Sequence, residues 1–466
     1  MSKKKKNYLM IGVLIPVIIA AALVIVFSSA KEKPFTDVKG VSILDNRGES
    51  LVFAKTMEDI LSEDYWAYLE VALTEASQLL AKEYACSEQE ALEQMLAEGY
   101  TIRTAFQPEA FAALQASVTE EKLEYGLALT DLQGNLLAVH SSPTGNYVTD
   151  RASPYSTFKP LSVYAPAVEQ GVANWSKMYS DSPYKQLEDA DGQKQDWPTN
   201  DSKTYSYENV PVCTAIAKSL NTIAVHCLKD LGVTASMDFL KTNFQIPLAE
   251  ETYVVENYSE EEVIGNIALG YLETGVTPIE MAGYYQIFAN GGSYLAPQAV
   301  TQIIDGKGET VYLRRDKSKQ VLSPATADVM NKLLQEVVSA KGTGAAAKCA
   351  DIQVAGKTGT GDDYTDNWFV GVTPSYSLAV WHGASPSNTA AKIFSQAVKG
   401  LYKDKPNANR QFVTHQNLNQ VIYCAHSGQG IGDDCTQIEM GYYSQSQLPI
   451  CEACKKNGNT EVDHNE

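Results

Sequence analysis

The chain has 466 residues, enough for two or three compact units at about 100–200 residues each. Its 44% hydrophobic and 20% charged residues match globular averages and exclude a mostly disordered protein. The formal charge of −19 argues against nucleic acid as a partner, since such a surface repels phosphate.

Lys3, Lys4, Lys5 and Lys6 precede 20 uncharged residues, Tyr8 to Phe27. At 1.5 Å per residue this run spans a hydrocarbon core of about 30 Å, and the lysines favour a cytoplasmic N-terminus. The pattern predicts a cytoplasmic tail over 1–7, a transmembrane anchor over 8–27, and everything else outside the membrane. A cleaved signal peptide ending near Ser28, Ser29 and Ala30 is the alternative, but signal cores are shorter, about 7–15 residues. Either route exports the chain. Removing the four lysine charges from −19 leaves −23 on the exterior part, an acidic surface that keeps it soluble.

Residues 28–120 predict a small structural unit or pedestal. Val41–Leu44 and Ser50–Phe53 flank Asn46, Arg47 and Gly48 as a hairpin. Ser87 and Glu90 form a capping box ahead of an apolar stripe that stops at Gly99. The main domain, 121–403, opens with strands Gly126–Thr130 and Asn135–Val139 turning at Gln133 and Gly134. A helix-like run follows at Leu161–Val168. Ser180–Asn209 is polar and aperiodic, which predicts a long loop. Ile279–Gly291 reads as helix. Ala299–Ile304 with Thr310–Leu313 reads as a hairpin, and Val354–Thr360, Trp368–Val372 and Ser377–Trp381 as strands. Strands near both ends with helices between them predict an α+β fold, an antiparallel sheet sandwiched by helices with an all-helical subdomain.

Four of eight cysteines, Cys424, Cys435, Cys451 and Cys454, fall in the tail 404–466. In an exported chain this spacing favours disulfides over zinc, and no metal is assigned. Cys213 and Cys227 would lie about 21 Å apart on one unbroken helix, too far to bridge, and read as packing.

Three short motifs carry the chemistry: Ser156-Thr157-Phe158-Lys159, Ser219-Leu220-Asn221 and Lys357-Thr358-Gly359-Thr360. In this order they are the S-x-x-K, S-x-N and K-T-G set of the penicillin-interacting serine enzymes. Singly they are weak, since Ser2 with Lys5, Ser28 with Lys31 and Ser182 with Lys185 also fit the first. Ser156 stands out because the apolar run follows it, with Pro160 suited to a first turn. Lys159 on the same face would take the hydroxyl proton, provided burial and a neighbouring cation such as Lys357 lower its pKa. Ser219 would relay the proton, and Asn221 would hold the lysine and a substrate carbonyl. Gly359 would let a substrate backbone approach the Lys357 strand, Thr358 and Thr360 would bind a terminal carboxylate, and the amides of Ser156 and Thr360 would form the oxyanion hole. Gly356-Lys357-Thr358 lacks the upstream glycine of a P-loop, Asp351 standing in its place, so neither nucleotide nor other cofactor is expected.

The flanks resemble the transpeptidase domain of class A, bifunctional penicillin-binding proteins. Thr101–Thr104, Asn200 with the tyrosines after it, Gly270–Gly292, Gly342-Thr343-Gly344 and Asp366–Gly371 carry this resemblance, and a cysteine-containing tail is common in the family. It implies a serine D,D-transpeptidase that cross-links peptidoglycan stem peptides and is acylated by β-lactams, on the outer face of a bacterial membrane. A D,D-carboxypeptidase and a non-catalytic β-lactam sensor or scaffold of a wall-synthesis complex are the alternatives. Two departures stand out. Fewer than a hundred residues separate Phe27 from Gly126, so the family's glycosyltransferase domain is expected to be missing and a separate glycan polymerase to be a partner. Tyr155 replaces the glycine that usually precedes the nucleophile.

Overall fold

The strands predicted around Gln133 and Gly134 form Tyr125–Asp131 and Leu136–Ser141, and they end a five-stranded antiparallel sheet. Its order is Ala355–Thr360, Asp366–Val372, Tyr376–Gly383, Tyr125–Asp131 and Leu136–Ser141. This computed structural model describes residues 38–454 apart from 120–122, 189–191, 247, 249–258, 362–363 and 387. The predicted cytoplasmic tail and anchor lie outside the described residues. Within the described residues no helix is long and apolar enough to cross a membrane.

Tyr376–Gly383 is buried at every position because helices cover both faces of the sheet. Pro108–Ser117 and Thr389–Tyr402 pack together on one face, where the rings of Phe369 and Phe394 meet at 4.7 Å. Trp368 and Val370 alternate to the opposite face, against which Pro278–Tyr285 lies.

That second face also meets the helical subdomain, built around the buried segment Pro160–Glu169. The predicted run Leu161–Val168 is not one regular α-helix: Pro160–Tyr164 is a π-turn and Ala165–Glu169 is α-helical. Pro166 has no N–H to donate to Ser162, four residues back. The Ser162 carbonyl instead accepts from Ser236 Oγ at 2.5 Å. Val212–Ala217, Asn221–Leu231, Val233–Phe244, Glu260–Leu269 and Pro324–Val337 complete this half. Cys213 and Cys227 therefore sit on two helices separated at Ser219, both buried as packing residues.

In the N-terminal unit, Val41–Leu44 pairs with Ser50–Ala54 and runs parallel to Thr101–Thr104. The capping box is present, with Ser87 Oγ accepting from Glu90 N, and Glu88–Glu98 stops at left-handed Gly99. The hairpin Val300–Ile304 with Thr310–Leu313, which chain order assigns to the main domain, completes this sheet. Val300 and Ile303 join Ile43, Leu73, Met95 and Ile102 in a core of its own.

Two sequence expectations need correcting. Ser180–Asn209 is not a structureless loop, since Met178–Ser180 pairs with Asn209–Pro211 and Lys185–Glu188 with Lys194–Trp197. These ribbons lie mostly in solvent and so carry no apolar alternation. The described part of the tail is built on a hairpin, Asn419–Cys424 with Ile438–Tyr443, and none of the eight cysteines is joined in a disulfide.

Candidate active site

The candidate nucleophile lies on a single 3₁₀ turn, Tyr155–Thr157, at the entry to the buried π-turn. Three neighbours pin this turn. Trp368 Nε1 donates to Ser153 O at 3.0 Å, Tyr285 Oη to Thr157 O at 2.5 Å, and Tyr155 N to Gly270 O at 3.1 Å. Gly270 must be glycine, since a Cβ there would overlap the Tyr155 carbonyl. Tyr155 has φ +47°, a conformation that costs a non-glycine residue about 1–3 kcal/mol. Its ring packs edge-on against Tyr271 and lies over Gly361, so side-chain contacts hold the strained backbone that glycine would adopt freely. Ser156 is half-buried, and no other described residue hydrogen-bonds its hydroxyl.

One turn on, Lys159 is fully buried. Its Nζ donates to Ser219 O at 2.9 Å and to Asn221 Oδ1 at 2.5 Å. Burial first, and the Lys357 charge second, push its pKa well below the ordinary lysine range, against the pull of Asp201. A neutral amine carries two N–H bonds and one lone pair. With both N–H groups directed to Ser219 and Asn221, the lone pair is left to accept a proton.

Ser219 and Asn221 reach Lys159 because Val212–Ala217 ends and a new helix starts at Asn221. Ser219 between them has φ +59°. The Asn221–Leu231 helix lacks a local side-chain cap. Asn200 supplies one from the polar segment, its Oδ1 accepting from Asn221 N at 2.9 Å and Thr222 N at 3.3 Å. Asn221 Nδ2 donates to Thr199 O at 2.8 Å, which aims Oδ1 at Lys159. Asp181 anchors this cap, accepting from Asn200 Nδ2 at 2.8 Å and Thr222 Oγ1 at 2.7 Å.

The third motif lies on Ala355–Thr360, an edge strand that among the described residues pairs only with Asp366–Val372. Lys357 is fully buried and donates to Ser219 Oγ at 2.8 Å and Thr358 O at 3.0 Å. Burial pushes its pKa down to about 7. Thr358 Oγ1 bonds Thr343 Oγ1 at 2.7 Å, while Thr360 is half-buried at the strand's end. Gly359 has a different neighbour from the one its motif predicts. A Cβ there would come within 2.7 Å of Pro154 O and 3.2 Å of Thr157 N, so it is the nucleophile's own turn that approaches.

Lys159, Ser219, Asn221 and Lys357 thus form one hydrogen-bonded network beside Ser156, with Gly359 against the nucleophile turn. Thr358 and Thr360 follow on the same edge strand. Ser219 thus lies between the two lysines, its carbonyl accepting from Lys159 and its hydroxyl from Lys357. Sequence reasoning missed Asp181, Thr199, Thr343, Tyr285 and Trp368 as positioning residues. Asn200, Gly270 and the Asp366–Gly371 segment were visible only as family landmarks, without roles.

The family described as the penicillin binding protein transpeptidase domain matches residues 126–400. Penicillin-binding protein 1A of Clostridium botulinum is 32% identical over 254 residues, 53% of this chain and 29% of that protein. Penicillin-binding protein 1F of Bacillus subtilis is 32% identical over 369 residues, 74% of this chain and 47% of that protein. The chain therefore spans less than half the length of these relatives. The D,D-transpeptidase domain of a peptidoglycan glycosyltransferase from Eggerthella lenta superposes with a TM-score of 0.62 at 19% identity, covering 80% of this chain and all of that one. Penicillin binding protein 3 of Mycobacterium tuberculosis gives 0.61 at 17% identity, covering 82% and 99%. These likenesses are of fold, the α+β transpeptidase architecture described above. The family match spans more than half of the chain and takes in all three motifs, so the chain belongs to the penicillin-binding protein transpeptidase family.

Proposed function

We propose that this chain is a serine D,D-transpeptidase that cross-links peptidoglycan stem peptides through a Ser156 acyl-enzyme and is acylated by β-lactams. The observation that carries this reading is the pair of buried lysines, Lys159 and Lys357, joined through Ser219 beside an unengaged serine hydroxyl. Burial lowers the pKa of both lysines, and the Lys357 charge lowers that of Lys159 further, which favours a free amine at Lys159.

In this mechanism a donor stem lies along the open edge of Ala355–Thr360, with Thr358 and Thr360 holding its terminal carboxylate. Lys159 takes the Ser156 proton as Oγ attacks the penultimate D-Ala carbonyl, and the amides of Ser156 and Thr360 hold the oxyanion. Collapse breaks the peptide bond. The Ser219 hydroxyl, whose oxygen accepts from Lys357 and whose hydrogen is left free, gives its proton to the departing D-Ala nitrogen and takes one from Lys159, whose Nζ turns to Oγ from the Ser219 carbonyl it meets here. The amine of a neighbouring stem then attacks the ester and regenerates Ser156.

In the cell, the lysines and apolar run over 3–27 anchor the chain by one helix, with the catalytic domain outside the bacterial membrane. A separate glycan polymerase is the partner we infer, making the strands that this chain joins. Fluorescent penicillin should label the intact protein and spare Ser156→Ala; equal labelling would sink the nucleophile. Lipid-linked pentapeptide supplied with a polymerase should yield cross-linked dimers, whereas tetrapeptides alone would mark a carboxypeptidase and no product a sensor or scaffold.

A further inference from the structure

Outside the catalytic cleft, one cluster of reactive side chains has no part in the mechanism. The sulfur atoms of Cys424, Cys435, Cys451 and Cys454 all lie within 4.8 Å of one another. Cys424 ends the strand Asn419–Cys424, Cys435 closes a turn after Gly432, and Cys451 and Cys454 sit on the C-x2-C turn. We propose that these four thiolates hold one zinc(II) ion, a structural site that staples the C-terminal tail to the catalytic domain.

Distance separates this from the disulfides that an exported chain suggests. Cys424 Sγ and Cys454 Sγ are 3.5 Å apart, whereas a disulfide needs about 2.05 Å. Four sulfurs around one zinc at about 2.3 Å stand about 3.8 Å from each other, the spacing this cluster approaches. Two disulfides have no need for each sulfur to be near the other three. A polynuclear iron–sulfur cluster would hold its cysteines farther apart than one shared ion does.

The backbone around the cluster is arranged as for a metal. Gly432 N donates to Cys435 Sγ at 3.3 Å. N–H groups pointing at sulfur stabilise thiolate charge, the outer-shell support that metal ligands normally have. Gly430 ties the ligand segments together, donating to Pro449 O and accepting from Cys451 N, each at 2.8 Å.

The tail has little else to hold it. Ile422, Ile431, Ile438, Met440 and Ile450 are exposed, and the buried Tyr423, Tyr443 and Leu448 belong to the core of the main domain. A unit this small and this poor in core of its own is the kind that metal binding stabilises. Its contacts lead toward the active site. Tyr443 Oη donates to Ser176 Oγ at 2.7 Å, and Tyr423 Oη lies 3.9 Å from Cys213 Sγ, on the helix that runs into Ser219. Binding one zinc releases the protons of those thiols that are not already ionised, and no oxidant is required.

The test uses the full chain in detergent, purified without added metal or chelator. Elemental analysis should find about one zinc per chain. Native alkylation should spare the four tail cysteines until 1,10-phenanthroline is added, and cobalt(II) exchanged into the protein should show the visible bands of a tetrahedral thiolate complex. Cys451→Ser with Cys454→Ser should lose the zinc, while Cys86→Ser, outside the cluster, should keep it. If the double variant misfolds, the wild-type alkylation and cobalt spectra still decide. Tail disulfides found by peptide mapping without reductant, iron in place of zinc, no metal at all, or zinc retained in a folded double variant would each overturn the site.

Discussion

Lys159 Nζ donates to Asn221 Oδ1 at 2.5 Å, and Asn221 is itself held from behind by Thr199 O at 2.8 Å. The base is thus oriented by a side chain that cannot swing away. Asn221→Ala removes both bonds and leaves a buried amine N–H without its partner. Losing a hydrogen bond to a charged or strongly polar group costs about 1.5–3 kcal/mol, or about 10–10²-fold in rate. Stopped-flow acylation by a fluorescent penicillin should slow by that factor. An unchanged rate in a folded variant would show that Asn221 does not position Lys159.

Lys357 acts on Lys159 through charge as well as through Ser219. A nearby cation disfavours a second cation, so Lys357 lowers the Lys159 pKa. The acylation rate of the wild type should therefore rise with pH and reach its plateau well below 10.5, the ordinary lysine value. Lys357→Met removes the cation, which lets the Lys159 pKa climb, and the rising limb should move to higher pH. A limb that stays in place, or moves toward acid, contradicts the electrostatic coupling.

Asp181 tests the support beneath Asn221. Burial works to raise its pKa, but hydrogen bonds from Thr222, Ser206 and Asn200 more than offset this and hold it below the ordinary value. A carboxylate whose folded pKa is depressed stabilises the fold above its unfolded pKa of about 3.9, and that contribution is lost as pH falls through the lower folded value. Asp181→Asn should cost about 1–3 kcal/mol at pH 7, read as a lowered Tm, because an amide would turn N–H groups toward existing donors. The deficit should shrink as the pH drops below about 4. A deficit constant from pH 7 to acid would mean that its charge is irrelevant.

These predictions mark what the sequence could and could not disclose. Ser156, Lys159, Ser219, Asn221 and Lys357 were legible because motif order survives in one dimension, and the short apolar runs bounded by turn residues showed the strands of the sheet. The roles of Asp181, Thr199 and Asn200 were not, since they lie in the irregular connections between short strands, where no periodic trace marks a buried polar residue. The hairpin Val300–Leu313 was recognised as a hairpin, but its partner, Thr101–Thr104, lies about two hundred residues earlier, and pairing at that range leaves no local signal. The cysteine tail was opaque for a different reason: spacing counts residues and does not show that three backbone segments bring the four sulfurs within 4.8 Å of one another.

Gly359 offers the sharpest separation between the motif as a substrate rest and the motif as a scaffold. A Cβ at this position meets Pro154 O at 2.7 Å and Thr157 N at 3.2 Å, both backbone atoms of the nucleophile's turn. At Gly361, two residues on, the nearest atoms to an added Cβ belong to the Tyr155 side chain, at 2.9 Å, rather than to backbone. Gly359→Ala should therefore shift Ser156 against Lys159 and Thr360, and misplacement approaching 1 Å costs about 10²-fold in rate. Gly361→Ala should lose less than about 10-fold, because a side chain yields more readily than a pinned backbone. Acylation rates of the two variants, each confirmed folded by its melting curve, compare them directly. Equal losses would mean that both glycines serve the approach of substrate; a selective loss at Gly359 would mean that the strand first of all seats the nucleophile.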